Sequence, residues 1–209
     1  MIITGIQVQK KNPRRASVFI DGEFAFGLSD VDCLYYRLRE GRELSEAEYD
    51  FLRGELMFIR AKESAFTYLG SSVKCISDVR NKLKSKEYTE EIIDEVIEAL
   101  IEYKYLDDRQ YALLYAQDKI SAGYGSVKIN YELGLKNINR EYIDEALENT
   151  EQAQTECAVR LLERKFRTFL GDYPAQIKAS QFLYRRGFSQ EISTAAIRGF
   201  SERSRGEPC

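Results

Sequence analysis

The chain has 209 residues, of which 44% are apolar and 31% are charged, proportions that are ordinary for a soluble protein with a large helical surface. They exclude a disordered chain, and the length suits either a compact fold or an elongated array of small repeats. The formal charge of −3 excludes a general attraction to nucleic acid, so any such binding would need a local basic face.

Histidine is absent, which removes the usual general base and the commonest zinc ligand. The cysteines are scattered without a CxxC spacing, so we expect reduced thiols and neither a disulfide nor a metal framework: Cys33, Cys75, Cys157 and Cys209. The N-terminal stretch lacks the apolar core of a signal peptide, and no apolar run approaches a membrane span. We therefore expect a cytoplasmic protein without a membrane segment.

The first thirty residues predict a small three-stranded meander. Residues 2–8 alternate with the period of a strand, residues 10–15 predict a turn, and residues 18–20 predict a second strand. Asp21-Gly22 is a strong two-residue hairpin signal before a third strand at residues 24–28. Because such a sheet is marginal alone, we expect it to pack on a helix or to cap the end of an array.

Two helices are predicted next. Ser29 has the character of an N-cap, and the apolar face of its helix is predicted at three positions before Gly41: Leu34, Tyr35 and Leu38. The second helix begins at Ser45, which has capping-box spacing to Glu48. Its apolar stripe contains Tyr49, Leu52, Leu56 and Ile59. The meander and this helical cap make up a predicted N-terminal region of residues 1–60.

The rest of the chain repeats one segment three times. Two sets of markers each stand fifty positions apart: Leu83, Leu133 and Leu183, then Tyr88, Ile138 and Phe188. Each copy continues with an N-cap residue and an apolar stripe: Thr89 with Ile92, Val96, Ile97 and Leu100, Asn139 with Tyr142, Ala146 and Leu147, and Ser189 with Ile192, Ala196, Ile197 and Phe200. Caps at identical offsets indicate duplicated helices.

A further helix precedes each pair, so each repeat holds three helices. Its packing positions are Ala65, Tyr68 and Leu69, then Ala112, Tyr115 and Ala116, then Ala158, Leu161 and Leu162. Their offsets fall short of fifty, which predicts longer loops at Gly123 and Gly125 and at Gly171 and Pro174. We predict a mainly α fold in which the meander is followed by an elongated array of tandem three-helix, helix-turn-helix-like repeats at residues 61–108, 109–155 and 156–201, with a mobile tail at 202–209.

Charge separates the second and third helices of the predicted repeats. Basic residues gather on the second helices: Arg80, Lys82, Lys84, Lys86, Lys128, Lys136, Arg185 and Arg186. Acidic residues gather on the third helices: Glu90, Glu91, Asp94, Glu95 and Glu98, then Glu141, Asp144, Glu145 and Glu148. A solvated helix face is the plainer interpretation. The functional interpretation is a basic edge that binds phosphate or an acidic partner.

Catalytic motifs are missing from the sequence. It contains no GxxxxGK[ST], GxGxxG or GxSxG pattern. Asp107-Asp108 is the best candidate for a carboxylate pair or a magnesium site, but a cap for the following helix is the stronger interpretation. We therefore expect no enzyme, no metal and no cofactor.

Three segments in series resemble the RecX family, regulators of the bacterial recombinase RecA: YLDDRQYA at 105–112, GSVKINYELGLKNI at 125–138 and LYRRGFSQEI at 183–192. The meander with VFIDGEFAFGLS is similar to the extension that some members carry. The family often has a left-handed glycine where the second helix ends. Here Gly187 keeps it and Glu87 and Asn137 replace it, while Lys104 stands where a glycine commonly precedes YLDD.

The resemblance implies a non-enzymatic, monomeric protein that lies along the RecA–DNA filament and inhibits its ATPase and strand exchange, with DNA as a further candidate partner. The eight basic residues of the second helices are then the candidate contacts to filament or DNA. Two alternatives stay open: direct nucleic-acid binding through the helix-turn-helix-like pairs, and a helical scaffold unrelated to recombination. The net negative charge and the acidic third helices oppose direct binding.

Overall fold

The computed structural model describes residues 1–10, 12–166 and 173–204. The chain divides into two compact units, Met1–Asp107 and Asp108–Cys209. One N-terminal sheet is followed by helices, which confirms the predicted mainly α class with a small β-meander. Within the residues described, no helix combines the length and the apolar character that a membrane span needs.

The sheet contains three antiparallel strands in chain order: β1 (Ile3–Gln9), β2 (Asn12–Ile20) and β3 (Glu23–Ser29). Asp21 and Gly22 form the predicted hairpin turn, with φ of 51° and 90° as a type I′ turn requires. The turn predicted at residues 10–15 was too long, because β2 already begins at Asn12. Pro13 is tolerated in β2 since neither ladder pairs it, so its missing N–H is not needed.

The helix predicted after Ser29 is α1 (Asp30–Tyr35), and the Ser29 hydroxyl accepts a hydrogen bond from the Asp32 N–H at 3.0 Å. Its predicted apolar face was wrong, because Leu34 and Tyr35 are 78% and 76% exposed. Leu38 is buried but lies beyond the helix, after Arg37 has turned the chain with a φ of 52°. The six-residue helix is too short to present a continuous face.

The second predicted helix begins as expected and then widens. α2 (Glu46–Phe51) opens with the capping box of Ser45 and Glu48. A π-helical turn at Leu52–Leu56 leads into α3 (Met57–Leu69). Because a π turn changes the helical register, the predicted stripe continues only to Leu56, and Ile59 is 46% exposed.

Three helices form each repeat. The first repeat has α3, α4 (Ile76–Lys84) and α5 (Glu90–Glu102). The second has α6 (Asp108–Ser121), α7 (Ser126–Leu135) and α8 (Arg140–Leu147), and the third has α9 (Glu151–Lys165), α10 (Tyr173–Tyr184) and α11 (Gln190–Ser204). The C-terminal unit thus contains the second and third repeats.

Two predictions about loops and the tail need correction. Pro174 is the second residue of α10 rather than part of a loop, because the first turn of a helix does not need its N–H. α11 runs to Ser204, past the predicted start of the tail at residue 202. Gly171 and residues 205–209, including Cys209, lie outside the described residues. The other three cysteines are free and buried: Cys33, Cys75 and Cys157.

The markers of the fifty-residue period all lie in the core. Each is at most 7% exposed: Leu83, Leu133, Leu183, Tyr88, Ile138 and Phe188. Two predicted caps form, since Asn139 accepts the N–H of Glu141 at 3.0 Å and Ser189 accepts that of Ile192 at 3.2 Å. Thr89 has the backbone of a cap, but its side chain makes no capping bond.

We call the residues that join the second and third helices of a repeat its corner: 85–89, 135–139 and 185–189. Each corner contains one left-handed residue, as the resemblance implies: Glu87 with φ 62°, Asn137 with φ 57° and Gly187 with φ 82°. A basic residue stands before it every time: Lys86, Lys136 and Arg186. The three corners therefore share one backbone design.

The N-terminal sheet holds the corner of repeat 1. Arg15 of β2 is only 8% exposed, and its Nη2 donates to the Lys86 carbonyl at 2.8 Å. Its guanidinium also lies 5.0 Å from the centroid of the Tyr88 ring. The Glu87 carboxylate accepts two bonds from the sheet: Gln9 Nε2 at 2.6 Å and Ser17 Oγ at 2.8 Å. The sheet packs on the first repeat as the sequence predicts.

The preceding repeat holds the corner of repeat 3. The N–H groups of Gly125 and Val127, at the start of α7, donate to the carbonyls of Arg186 and Gly187, each at 3.0 Å. A Cβ added at Gly125 would overlap the corner backbone, and one added at Gly187 would overlap Lys128. Glycine is therefore needed at both positions for close approach of two backbones.

Candidate basic–aromatic binding site

The predicted basic edge of repeat 1 is partly neutralised by the acidic helix beside it. Arg80 lies 2.5 Å from Asp94 and 3.2 Å from Glu90, and Lys84 lies 2.8 Å from Glu90. These pairs join α4 to α5. Arg80 and Lys84 therefore present less free charge to a partner than the sequence pattern suggested.

The other two basic residues of repeat 1 have different surroundings. Lys82 Nζ lies 5.6 Å from the centroid of the Tyr68 ring, which Lys74 also approaches at 4.7 Å. Burial, together with repulsion from Arg15 and Lys82, lowers the pKa of the Lys86 amine. Lys86 thus belongs to the corner that the sheet covers, whereas Lys82 lies over an aromatic face.

The C-terminal unit brings two predicted site residues together around one aromatic ring. Three cations approach the centroid of the Tyr124 ring: Lys128 Nζ at 4.1 Å, Lys119 Nζ at 5.3 Å and the guanidinium carbon of Arg186 at 5.8 Å. Such contacts are worth about 0.5–1 kcal/mol each at an exposed site. Tyr124 is the centre of a cationic cluster that combines residues of repeats 2 and 3.

Local structure explains the convergence. Tyr124 lies in the loop between α6 and α7, so the last turn of α6 brings Lys119 to it and the first turn of α7 brings Lys128. Arg186 arrives with the corner of repeat 3, and its Nη1 donates to the Gly123 carbonyl at 3.2 Å. The left-handed backbone of Gly123, with φ of 88°, turns the loop at this point.

The cluster continues along α10. Phe182 lies between two cations, with Lys165 Nζ at 3.9 Å and the Arg186 guanidinium carbon at 5.2 Å from its ring centroid. We call the whole array the basic–aromatic strip: Lys119, Tyr124, Lys128, Lys165, Phe182 and Arg186. Cations alternate with aromatic rings along it.

One carboxylate offsets part of this charge. Glu132 lies 2.8 Å from Lys119 Nζ and 3.9 Å from Lys128 Nζ, and it accepts a hydrogen bond from the Tyr115 hydroxyl at 2.7 Å. Burial alone would raise the pKa of Glu132, but the bonds from Lys119 and Tyr115 outweigh it and the pKa is lowered. The same ion pair raises the pKa of Lys119. Among the described residues the strip therefore combines four basic side chains with one carboxylate.

The two remaining predicted residues, Lys136 and Arg185, have other neighbours. Lys136 Nζ is 5.5 Å from the centroid of the Tyr111 ring. Arg185 is exposed beside Tyr184, which is 77% exposed. Sequence reasoning missed Lys119 and Lys165 because it searched the second helices for basic residues. Both stand in the last turn of the first helix of a repeat, where the helix dipole stabilises a cation. That position in the sequence could have identified them as candidates.

The strip is suited to binding anions. Ammonium and guanidinium groups bind phosphate or carboxylate oxygens, and the interleaved rings add stacking surface. Within the described residues, no group of three or more His, Cys, Asp and Glu side chains could hold a metal ion. Asp107 directly precedes α6 and Asp108 is its first residue, so the pair stands at the start of that helix.

Four family models match the chain in succession. They are described as the regulatory protein RecX N-terminal domain, residues 1–45, and the first, second and third three-helix domains of RecX, residues 61–100, 107–147 and 152–197. A regulatory protein RecX of Clostridium beijerinckii is 33% identical over 201 residues, which cover 94% of each chain. One of Bacillus licheniformis is 33% identical over 200 residues, covering 93% of this chain and 76% of the relative.

Solved structures agree with these matches. A crystal structure of regulatory protein RecX superposes with a TM-score of 0.62 at 28% identity, covering 93% of this chain and 98% of that chain. The crystal structure of RecX from Lactobacillus salivarius gives a TM-score of 0.63 at 25% identity, covering 70% and 97%. Fold and sequence thus lead to the same family.

Proposed function

Because the chain belongs to the RecX family of regulatory proteins, we propose that it binds the RecA–DNA filament and lowers the filament's ATPase and strand-exchange activities. It would act in recombination and DNA repair, as a monomer in the cytoplasm and without catalysis of its own. The observation that carries the proposal is the basic–aromatic strip, which collects cations from repeats 2 and 3 on one surface.

A filament suits this arrangement because it repeats one acidic or phosphate-bearing surface many times. The strip supplies one electrostatic contact, and the tandem repeats allow others on neighbouring filament subunits. Several weak contacts made by one chain give an avidity that no single contact has. Charged contacts of this kind also speed association and weaken as salt is raised.

Direct binding of nucleic acid is the second candidate, and one observation favours it. Cations interleaved with Tyr124 and Phe182 are a combination that single-stranded nucleic-acid sites use. Against it, Glu141 and Asp144 lie exposed on α8, on the helix that would approach phosphate in a helix-turn-helix. The filament is therefore the better partner.

Adding the protein to preformed RecA–DNA filaments and following ATP hydrolysis tests the proposal. We expect hydrolysis to fall when the protein approaches the filament subunits in concentration. An unchanged rate, together with tight binding to naked DNA, would favour the second candidate and reject the first.

A charge-reversal variant tests the role of the strip. Lys128→Glu with Lys165→Glu should weaken filament binding about 10-fold and flatten its salt dependence, because two strip cations become anions. Lys10→Glu with Arg14→Glu is the charge-matched control, since both are exposed residues of the N-terminal unit and neither belongs to the strip. Equal losses in both variants would show a general charge effect rather than a site.

A further inference from the structure

An exposed apolar stripe runs along α7, the second helix of the middle repeat. Val127, Tyr131 and Leu135 are 57%, 67% and 66% exposed. Their spacing of four residues places them on successive turns of one helix face. The opposite face is the one that enters the core, where Ile129 and Leu133 are fully buried. The stripe is therefore extra apolar surface that the fold of the repeat does not use.

At the equivalent positions the other repeats carry a single apolar residue, Ile177. The positions fifty residues earlier, in and just after α4, are Ser77, Asn81 and Ser85, and those fifty residues later are Ile177, Gln181 and Arg185. Gly134 lies beside the stripe where the other repeats have Lys84 and Tyr184. A Cβ at Gly134 would meet nothing within 4 Å, so packing inside the chain does not require this glycine. Glycine within a helix costs stability but lets another backbone approach closely.

The charges beside the stripe indicate what covers it. Lys128 follows Val127 in α7 and lies over the Tyr124 ring, which Lys119 and Arg186 of the basic–aromatic strip also approach. The stripe and the strip are therefore neighbours on this helix. A binding partner that covers the stripe therefore also contacts a cluster of cations. Its complement is an apolar groove bordered by carboxylates, which a protein surface offers and a nucleic-acid backbone does not.

Three side chains supply less than the roughly 800 Å² that a stable interface buries on each partner, so the stripe is one part of a larger contact to which the tandem repeats can add. We propose that the exposed face of α7 docks onto an acidic protein surface with an apolar groove. The inference rests on the proposed function, and it assigns this contact to the protein subunits of the filament rather than to the DNA.

The test replaces the stripe with the residues that repeat 1 has. Val127→Ser, Tyr131→Asn and Leu135→Ser together should weaken binding to RecA–DNA filaments about 30-fold, because three apolar side chains lose their partner surface. Binding to a single-stranded DNA oligonucleotide without RecA should stay within about twofold of the unchanged chain. Circular dichroism and melting should match it too, since the replaced side chains are exposed. Tyr131→Glu is the second variant, and it should weaken filament binding with one substitution.

The control is Ile177→Ser with Gln181→Asn, the equivalent change on α10, which should leave filament binding intact. Filament binding by the triple variant as tight as that of the unchanged chain would overturn the docking surface while leaving the proposed function standing. An equal loss of binding to the oligonucleotide would also overturn it, as would a self-association of the unchanged chain that the triple variant loses. If the unchanged chain neither binds filaments nor slows their ATP hydrolysis, the proposed function itself fails.

Discussion

The corners of repeats 1 and 3 have similar backbones, but different elements complete them. In both, a left-handed residue follows a basic one: Glu87 after Lys86 and Gly187 after Arg186. In repeat 3 the carbonyl of the basic residue accepts the backbone N–H of Gly125 from the preceding repeat. In repeat 1 the corresponding carbonyl accepts the guanidinium of Arg15 from the sheet.

This difference shows what the N-terminal sheet does for the array. A first repeat has no predecessor, so Arg15 supplies the donor that Gly125 supplies in repeat 3. A long side chain also reaches the corner from further away than a backbone does, and residue 87 keeps a side chain that bonds to the sheet. Backbone-to-backbone contact leaves no such space at Gly187. The sheet is therefore a cap of the kind that repeat proteins need at their ends.

The largest loss of stability is expected at the corner of repeat 3, where two backbones are in close contact. Gly187→Ala should cost roughly 3 kcal/mol of stability, because the new Cβ overlaps Lys128 and the left-handed backbone disfavours alanine. Denaturant unfolding followed by circular dichroism measures the loss. Gly134→Ala is the control and should stabilise by up to about 1 kcal/mol, since its Cβ meets nothing. A Gly187 variant as stable as the unchanged chain would contradict the close contact.

The expected loss of stability is smaller, but still measurable, at the corner of repeat 1 that the sheet covers. Arg15→Met should cost roughly 2 kcal/mol, because the part-buried Lys86 carbonyl and the buried Gly27 carbonyl lose a charged donor while the methionine keeps some of the packing. Hydrogen exchange should speed up in α4 and α5 and stay unchanged in α9 to α11. Arg14→Met, at the exposed neighbouring position of β2, should change stability by less than about 0.5 kcal/mol. Equal changes of stability in the two variants would show that Arg15 does not cap the first repeat.

The smallest changes of stability are expected when the basic residue of each corner is neutralised, and they should have opposite signs in repeats 1 and 3. Burial and then repulsion from Arg15 and Lys82 lower the pKa of Lys86, so its charged form is disfavoured in the folded chain. Lys86→Gln should therefore stabilise by a few tenths of a kcal/mol, roughly, at neutral pH. Arg186→Gln should destabilise by about 1 kcal/mol, because it loses the bond to the Gly123 carbonyl.

The pH dependence at Lys86 gives an independent check. Because the folded pKa is the lower one, the penalty is fully present well below it and disappears as pH rises towards the unfolded value of about 10.4. The advantage of Lys86→Gln in melting temperature should shrink between neutral pH and pH of about 10. A constant or growing advantage would mean that charge is not the cause.

The repeat register could be predicted because it depends on local patterns. Apolar residues at fixed offsets from an N-cap identify the buried side of a helix, and Leu83, Leu133 and Leu183 are fully buried as expected. The Asp21-Gly22 hairpin and the Ser45 capping box are also short-range features, and both were confirmed. Where a few neighbouring residues decide the structure, the sequence is sufficient.

The strip could not be predicted in the same way. Arg186 reaches Tyr124 only because the corner of repeat 3 packs on the start of α7, a contact between residues far apart in the chain. Likewise, Arg80 meets Asp94 only once α4 and α5 have packed together. The π-helical turn at Leu52–Leu56 has no signature in the apolar pattern, so Ile59 was placed on the wrong face. Tertiary packing decides these features.

The order of corner and partner along the chain has a consequence for protein synthesis. Arg15 is made before Lys86, and Gly125 is made before Arg186. When either corner leaves the ribosome, the group that completes it has therefore already been made. Because domains fold from the N-terminus as they are synthesised, these corners can close during translation without waiting for any residue that is still to be added.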